Sequence, residues 1–346
     1  MISITDIDPN FRIPAELHRD DLVWRNACEE PFSLHGVFRE NGLFRRMPEA
    51  VAREVNEGVL VLHTHTAGGR LRFTTDSPYI AIHAVLPGIG RMPHFALSGS
   101  AGFDLYESKI GYIKTFVPPM DMTNGYEELA EVGEGGLRTY ILHLPLYSQV
   151  SELYIGISET AQLLPPPPYR IDLPIVYYGS SITQGGCASR PGMAYPNILS
   201  RRLDADQINL GFSGSARAEE VMAAYIAGLS MSAFVYDYDH NAPSCEHLAA
   251  THAPLFRAVR DAHPDLPILI LSRPAFDLTI EESRRREIVR ATYEAARAAG
   301  DDHVAFLDGP ALMRAVGREG TVDGCHPTDL GFAAMAEVVE RELRGM

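Results

Sequence analysis

The sequence predicts two domains of different fold class: an antiparallel β-sandwich of the jelly-roll type, then an α/β domain with a parallel five-stranded sheet. Three observations lead to this prediction. Short β-branched and aromatic runs fill the first half of the chain, strand-like and helix-like runs alternate in the second half, and four consecutive prolines, Pro165–Pro168, separate the halves. We therefore expect a β-domain over residues 1–164, a proline-rich linker over 165–171 and an α/β domain over 172–346.

The first half contains apolar runs that are separated by turn signals such as TAGG, TDSP and LPGIG. We interpret these runs as strands without intervening helices, a pattern that is typical of sandwiches and jelly rolls. The runs are GVLVLHTH (58–65), RLRFTT (70–75), YIAIHAVL (79–86), HFALSG (94–99), RTYILHLPLY (138–147) and SELYIGIS (151–158). The prolines that follow are expected to form an extended, semi-rigid spacer.

After the prolines, five strand-like runs alternate with helix-like runs. This alternation predicts parallel crossovers and a sheet that is covered by helices on both faces. The strands are expected at 175–179, 207–211, 233–239, 267–272 and 304–309, and the helices at 193–203, 217–228, 245–264, 281–300 and 328–345. In sheets of this kind the functional groups lie at the carboxyl ends of the strands.

Charge and composition indicate which partners are disfavoured and which cellular compartment to expect. The 346 residues carry a formal net charge of −15, which argues against nucleic acid and anionic membranes as partners. Because the chain has no bilayer-spanning apolar run and no signal-peptide pattern at its start, we expect a cytoplasmic protein. The four cysteines are scattered without a CxxC pair, so neither a disulfide framework nor a zinc site is expected. Homo-oligomerisation stays open.

Groups suited to nucleophilic catalysis occur at the end of the first predicted strand of the α/β half and just before its last predicted helix. The run IVYYGSSITQGG ends a strand in two serines, Ser180 and Ser181, either of which could be an activated nucleophile or an ordinary turn residue. Asp323 and His326 stand three residues apart before the last helix. At this spacing Asp323 can accept a hydrogen bond from Nδ1 of His326, which leaves Nε2 free to take a serine proton.

Two further strand ends offer hydrogen-bond donors for a developing oxyanion. Gly214 in NLGFSGSA can bring its backbone N–H close to a substrate, and Asn241 in YDYDHNAP can offer a side-chain amide. Other polar pairs could in principle bind a metal, but none has a complete ligand set, so we expect no metal and no cofactor. These pairs are His63 with His65 on one expected strand face, and Asp237 with Asp239, followed by His240.

The four segments together resemble the SGNH (GDSL-like) hydrolase superfamily over roughly residues 172–346. The resemblance implies a three-layer, flavodoxin-like domain that hydrolyses carboxylic esters through a Ser-His-Asp triad. It places the nucleophile on Ser181 rather than Ser180, and it assigns the base and its orienting carboxylate to His326 and Asp323. The family's oxyanion donors fall on Ser181, Gly214 and Asn241. The third block reads Asp239-His240-Asn241-Ala242 here, where Gly-x-Asn-Asp is usual.

The run AGFDLYES resembles the Gly-x-Asp-Leu-Tyr motif of a domain that precedes some SGNH esterases. We expect Asp104 and Tyr106 near the domain junction, where they brace the catalytic loops or line the cleft; the alternative is a buried strand motif remote from the site. Cys187 and Cys325 flank the catalytic blocks and are expected to be free thiols that line the site, with redox regulation as an alternative.

The most concrete functional hypothesis is a serine esterase that removes short acyl groups, above all acetyl, from a small or carbohydrate ester. The resemblance suggests the ester chemistry, and a deep acyl tunnel is not expected because the predicted connections in the α/β half are short. Two alternatives stay open. One is an acyltransferase with the same triad, and the other is a carbohydrate-binding protein whose hydrolase half is vestigial.

Overall fold

The computed structural model describes residues 7, 17, 19–275 and 277–346. Most of the N-terminal segment to which the expectation about a signal peptide applies lies outside these residues. In the described part, antiparallel sheets precede one parallel five-stranded sheet, which confirms the predicted fold class. None of the described helices is long and apolar enough to cross a membrane.

From residue 19 onward, the antiparallel part consists of short strands with three short helices among them. The strands are β1 (Leu22–Asn26), β2 (Ser33–His35), β3 (Phe38–Glu40), β4 (Leu43–Arg45), β5 (Arg70–Thr75), β6 (Tyr79–Val85), β7 (Phe103–Glu107), β8 (Gly111–Phe116), β9 (Gly125–Glu131), β10 (Arg138–His143), β11 (Glu152–Ser158) and β12 (Leu163–Leu164). The helices are α1 (Glu49–Val55), α2 (Glu57–Leu62) and α3 (Leu97–Ser100).

Two sheets of this part enclose one hydrophobic core. The first has the strand order β1-β11-β6-β9, and the second has the order β12-β5-β10-β7-β8 with β2 attached to β5. Ile82 and Ile155 of the first sheet pack in the same buried cluster as Phe73, Leu105 and Leu142 of the second. Because successive side chains of a strand point to opposite faces, each sheet directs one set of its side chains into this shared core.

Two segments that we predicted as strands are helical, and both predictions were wrong. In GVLVLHTH the side chain of Asn56 accepts a hydrogen bond from the amide of Val59 and starts α2. Val59 is then buried against the α/β half, so capping and tertiary packing override the β-propensity of the run. His63 ends this helix, donates from Nδ1 to Leu60 O and accepts at Nε2 from Arg45, so it does not share a strand face with His65. The run HFALSG likewise contains α3.

The α/β part follows the predicted alternation closely. Its strands are β13 (Ile171–Gly179), β14 (Ala205–Gly211), β15 (Ala233–Asp237), β16 (Ile268–Leu271) and β17 (Val304–Leu307). Its α-helices are α4 (Ser181–Gln184), α5 (Tyr195–Leu203), α6 (Glu220–Ala227), α7 (Cys245–Ala262), α8 (Ile280–Ala298), α9 (Gly309–Leu312) and α10 (Asp329–Gly345). The first strand begins at Ile171, so the last residue of the expected linker belongs to β13.

The strand order of the parallel sheet brings the polar strand ends together. The order is β14-β13-β15-β16-β17, which is the flavodoxin-like arrangement when the strands are counted from β13. Gly179 at the end of β13 is in register with Gly211 of β14 on one side and with Asp237 of β15 on the other. The segments that follow these three residues therefore meet at one edge of the sheet.

The two parts of the chain also share a core. Met47, Ala52 and Val59 from the first half pack in the same buried cluster as Tyr178 and Phe212 of the parallel sheet. The two parts therefore pack directly against each other, and the domain division at the prolines stays a prediction. The segment around α1 and α2 is positioned to influence the loops at the carboxyl edge of the sheet.

Candidate active site

The two adjacent serines have different environments. Ser180 is fully buried, and its hydroxyl accepts a hydrogen bond from the amide of Ile182 at 3.1 Å, so it caps α4. Ser181 is the first residue of α4, and its Oγ lies 2.9 Å from Nε2 of His326. Capping therefore engages the Ser180 hydroxyl, whereas the Ser181 hydroxyl contacts an imidazole.

His326 and Asp323 lie in one turn before α10. Oδ2 of Asp323 is 2.8 Å from Nδ1 of His326, and Oδ1 accepts hydrogen bonds from the amides of His326 at 2.8 Å and Cys325 at 3.0 Å. Partial burial acts to raise the pKa of Asp323, but these hydrogen bonds outweigh it and lower the pKa to about 2. Since an ionised carboxylate only accepts, the ring proton resides on Nδ1, and Nε2 can accept from Ser181.

Donors for an oxyanion are present on three segments near this edge. The amide of Ser181 is at the start of α4, where N–H groups have no partner within the helix. Gly214 adopts a left-handed φ of 66°, and within the described residues its N–H donates to no protein group. Asn241 donates one amide hydrogen to Phe212 O at 3.0 Å and so keeps a second hydrogen for another acceptor. Such donors stabilise the negative charge of a tetrahedral intermediate.

The loop that carries Gly214 is held by two buried side chains that sequence reasoning missed. Arg46 donates to Gly211 O at 2.6 Å, and its guanidinium lies 4.6 Å from the ring centroid of Phe212. Burial lowers the pKa of Arg46 to about 9. Gln184 accepts a hydrogen bond from the amide of Ser213 at 3.0 Å. No local sequence pattern predicts either contact, because each contact joins segments that are distant in the chain.

Asp237 is a buried carboxylate directly behind the serines. Its Oδ1 accepts from the amide of Ser180 at 3.2 Å and from Oγ1 of Thr183 at 2.6 Å. Burial raises the pKa of Asp237 to about 7, against the lowering effect of the Thr183 hydrogen bond. Asp237 therefore holds the cap and the third residue of α4. Asp239 points elsewhere, to the His240 ring at 3.0 Å.

Asp104 and Tyr106 lie on β7, where the first half of the chain meets the loop after α4. The Asp104 carboxylate is fully buried and accepts from Thr115 Oγ1 at 2.7 Å, from the Gly192 amide at 2.7 Å and from Arg190 at 2.8 Å. Burial raises the pKa of Asp104, although Arg190 acts to lower it. Arg190 also donates to the Tyr106 hydroxyl at 2.5 Å. Both motif residues thus contact the segment that continues from Ser181.

The cysteines that flank the catalytic blocks are free thiols. Cys187 is buried and follows α4, and Cys325 directly precedes His326. Burial raises the pKa of Cys187 to about 12, and the nearby charge of Asp323 acts in the same direction. At neutral pH this thiol is therefore protonated rather than a reactive thiolate.

Two family models match consecutive parts of this chain. Residues 172–344 match the model of the GDSL-like lipase/acylhydrolase family, and residues 22–163 match the model described as the N-terminus of SGNH hydro-type esterases. No curated protein matches the chain.

Solved structures are similar over nearly the whole chain. A protein from Bacteroides ovatus described as a GDSL-like lipase is 29% identical, with a TM-score of 0.82 over 93% of this chain and 98% of its own. A salicylyl-acyltransferase from a tetracycline biosynthetic pathway is 20% identical, with a TM-score of 0.78 over 95% and 98%. An acetyl xylan esterase from Butyrivibrio proteoclasticus is 12% identical, with a TM-score of 0.60 over 94% and 98%.

The family models cover both halves of the chain in the order that the sequence analysis expected, with the GxDLY-type domain before the hydrolase domain. The parallel sheet, its strand order and the antiparallel sheets in front of it agree with this assignment. The chain therefore belongs to the GDSL-like lipase/acylhydrolase family of SGNH-type hydrolases.

Proposed function

We propose that this hydrolase is a serine esterase in which Ser181 is the nucleophile, His326 the general base and Asp323 the orienting carboxylate. The observation that carries the proposal is the continuous hydrogen-bonded chain from Ser181 Oγ to His326 Nε2 at 2.9 Å and from His326 Nδ1 to Asp323 at 2.8 Å. A serine hydroxyl becomes a useful nucleophile only when an oriented base lies within this distance.

The geometry supports an acyl-enzyme mechanism. Oγ of Ser181 forms a bond to the ester carbonyl carbon while its proton passes to Nε2 of His326. The carbonyl oxygen becomes an oxyanion that the amides of Ser181 and Gly214 and the side chain of Asn241 are placed to receive. As the carbonyl re-forms, the bond between the acyl carbon and the alcohol oxygen breaks, and the alcohol leaves with the proton from Nε2. Water repeats the sequence on the acyl-enzyme and releases the acid.

The substrate we propose has a short acyl group, above all acetyl. Among the described residues, three connections at the carboxyl edge of the sheet are short (212–219, 238–244 and 272–279 without residue 276), and the two longer ones (180–194 and 308–328) carry Ser181 and the Asp323–His326 turn. The three short connections offer little material to enclose a long acyl chain. The similarity in fold to an acetyl xylan esterase makes acetylated sugars the class to test first.

Asp104 and Tyr106 are proposed to brace the catalytic loop rather than to touch the substrate. Asp104 is fully buried and all three of its donors belong to the protein, two of them in the loop at Arg190 and Gly192. A Cβ on Gly192 would lie 2.5 Å from the Tyr106 hydroxyl, so the loop backbone packs directly on β7. These contacts of Asp104 and Tyr106 with Arg190 and Gly192 hold the end of the segment that begins at Ser181.

An acyltransferase with the same triad is the second candidate. The observation that favours it is the similarity in fold, over nearly the whole chain, to a salicylyl-acyltransferase. In that case an alcohol replaces water in the second half of the mechanism. A carbohydrate-binding protein with a vestigial hydrolase half is less well supported, because the Ser181–His326–Asp323 chain is intact.

The test compares aryl esters of graded acyl length, from acetyl to octanoyl, with a set of acetylated sugars. We expect kcat/KM to fall steeply with acyl length and at least one acetylated sugar to be hydrolysed. A preference for octanoyl over acetyl would contradict the short-acyl proposal. Adding glycerol or a sugar acceptor and identifying products by mass spectrometry distinguishes the alternatives, since a transferase forms a new ester whereas an esterase forms free acid.

A further inference from the structure

Three metal-ligating side chains from three separate segments meet beside the catalytic serine. Ligand atoms of His94, Cys187 and His326 all lie within 4.8 Å of one another. His94 belongs to the connection between β6 and α3, Cys187 to the loop after α4, and His326 to the turn before α10. Of these three, only His326 has a role in the proposed esterase mechanism.

The first half of the chain holds His94 in this position. Its neighbour Phe95 is buried in the same hydrophobic cluster as Cys187, and the Phe95 ring packs against Tyr147 at a centroid distance of 5.2 Å. Ser98 Oγ donates to Ser189 O at 2.6 Å and ties α3 to the loop that carries Cys187. His94 itself is exposed, and its ring centroid lies 5.6 Å from that of His326. The imidazole can therefore rotate while its backbone stays anchored.

We propose that His94, Cys187 and His326 form an inhibitory binding site for a borderline-soft divalent cation such as Zn²⁺. One thiolate and two imidazoles are ligands that Zn²⁺ prefers. Tetrahedral coordination requires separations of about 3.3–3.6 Å between such ligand atoms. The present separations of at most 4.8 Å need only a modest closure, which the exposed His94 ring can supply by rotation. A water molecule or Ser181 Oγ completes the fourth position.

The Asp323–His326 pair strengthens this assignment. A metal-bound histidine commonly donates its other ring N–H to a carboxylate, which fixes the tautomer and makes the ligand more basic. Asp323 already accepts from Nδ1 of His326 at 2.8 Å and leaves Nε2 as the free ligand atom. The orientation that suits a general base thus also suits a metal ligand.

Binding the cation has a defined chemical consequence. The Cys187 thiol releases its proton to solvent as the sulfur–metal bond forms, and Nε2 of His326 gives its lone pair to the metal. That lone pair can then no longer accept the proton of Ser181. Metal binding itself is independent of the catalytic assignment, whereas inhibition rests on the proposed function.

Cobalt(II) provides a direct readout of the site without catalysis. We expect the Ser181→Ala variant, which keeps all three ligands, to bind one Co²⁺ with a thiolate-to-metal charge-transfer absorption. Adding Cys187→Ala should abolish this absorption, and adding His94→Ala should weaken Co²⁺ binding by at least about tenfold, since even outer partners contribute about 10–100-fold. Cys325→Ala is the matched control because Cys325 adjoins His326 but is not in the cluster; it should leave the spectrum unchanged. No thiolate absorption, or an equal one after Cys187→Ala, would overturn the site.

Inhibition is measured separately with Zn²⁺ on aryl acetate hydrolysis, each protein normalised to its own rate in EDTA. We expect inhibition that EDTA reverses, and a half-inhibiting concentration at least about tenfold higher in His94→Ala, whose exposed side chain can be removed without a cavity. An equal half-inhibiting Zn²⁺ concentration in His94→Ala and the wild type would overturn the proposal. Co²⁺ binding without inhibition would refute the inhibitory role and would count against His326 as the base.

Discussion

Replacing Asp323 by asparagine should invert the protonation pattern of His326 while it preserves the shape of the turn. Oδ1 of Asp323 accepts from two backbone amides, at 2.8 and 3.0 Å, and an amide NH₂ group cannot accept those hydrogen bonds. The asparagine must therefore place its oxygen against the backbone and its NH₂ against Nδ1 of His326. Nδ1 then accepts a hydrogen bond instead of donating one, and the ring proton resides on Nε2.

In the wild type, Oγ of Ser181 lies 2.9 Å from Nε2 of His326. Once Nε2 carries the ring proton, it cannot take the proton of Ser181. Inverting the tautomer in a Ser-His-Asp triad costs about 10⁴ in kcat. This factor corresponds to about 5.4 kcal/mol in the barrier. Because the two backbone hydrogen bonds are retained and the side chain is partly exposed, the melting temperature should change little.

The assay is steady-state hydrolysis of an aryl acetate, with circular dichroism and thermal unfolding as controls for the fold. Asp329→Asn is the matched control, because Asp329 accepts from the Ser189 amide at 2.8 Å and has no hydrogen bond to His326. We expect Asp329→Asn to lose less than about tenfold, far below the triad effect. A loss below tenfold in Asp323→Asn, or equal losses in both variants, would refute the reasoning.

Three further predictions concern the surroundings of the triad. Asn241→Ala should lower kcat by about 10²–10³ if its free amide hydrogen reaches the oxyanion; a loss below tenfold would show that the amide points elsewhere. Asp104→Ala should destabilise the protein by about 3 kcal/mol, because it leaves the Thr115 hydroxyl, the Gly192 amide and the Arg190 guanidinium without their shared acceptor; an unchanged denaturant midpoint would contradict the role of Asp104 in holding the loop. Burial raises the pKa of Asp237 to about 7, above about 3.9 in the unfolded chain, so its contribution to stability is full in acid and is lost as the pH rises through 7. Asp237→Asn should therefore raise the melting temperature relative to wild type more at pH 8 than at pH 5, and the opposite order would refute this sign.

Strong local periodicity made most of the fold predictable. The run RLRFTT coincides with β5, and every predicted strand and helix of the α/β half overlaps an observed element. The failures have different causes. The run GVLVL has a strand-like composition, but the Asn56 cap and the burial of Val59 against the other half of the chain make it helical. Strand β9 was missed because Glu127, Glu128 and Glu131 interrupt its apolar alternation.

The candidate triad residues could be located because each lies at the end of a periodic element. Ser181 follows the first parallel strand, and Asp323 and His326 precede the last helix. The contacts around them could not be predicted in the same way. Arg190 reaches Asp104 across 86 residues, and His94 reaches His326 from the other half of the chain. Such contacts depend on how the two halves pack, and local hydrophobic patterns carry no information about that packing.

Labelling with a fluorophosphonate, followed by peptide mapping, tests the central claim most directly, because the reagent reacts only with an activated serine. Ser180→Ala is the matched control: it removes the cap of α4, at a cost of about 1 kcal/mol in stability, but keeps the Ser181–His326 hydrogen bond. We expect one adduct, on Ser181, in the wild type and in Ser180→Ala, and no adduct in Ser181→Ala. An adduct on Ser180, or undiminished labelling of Ser181→Ala, would contradict the assignment of the nucleophile.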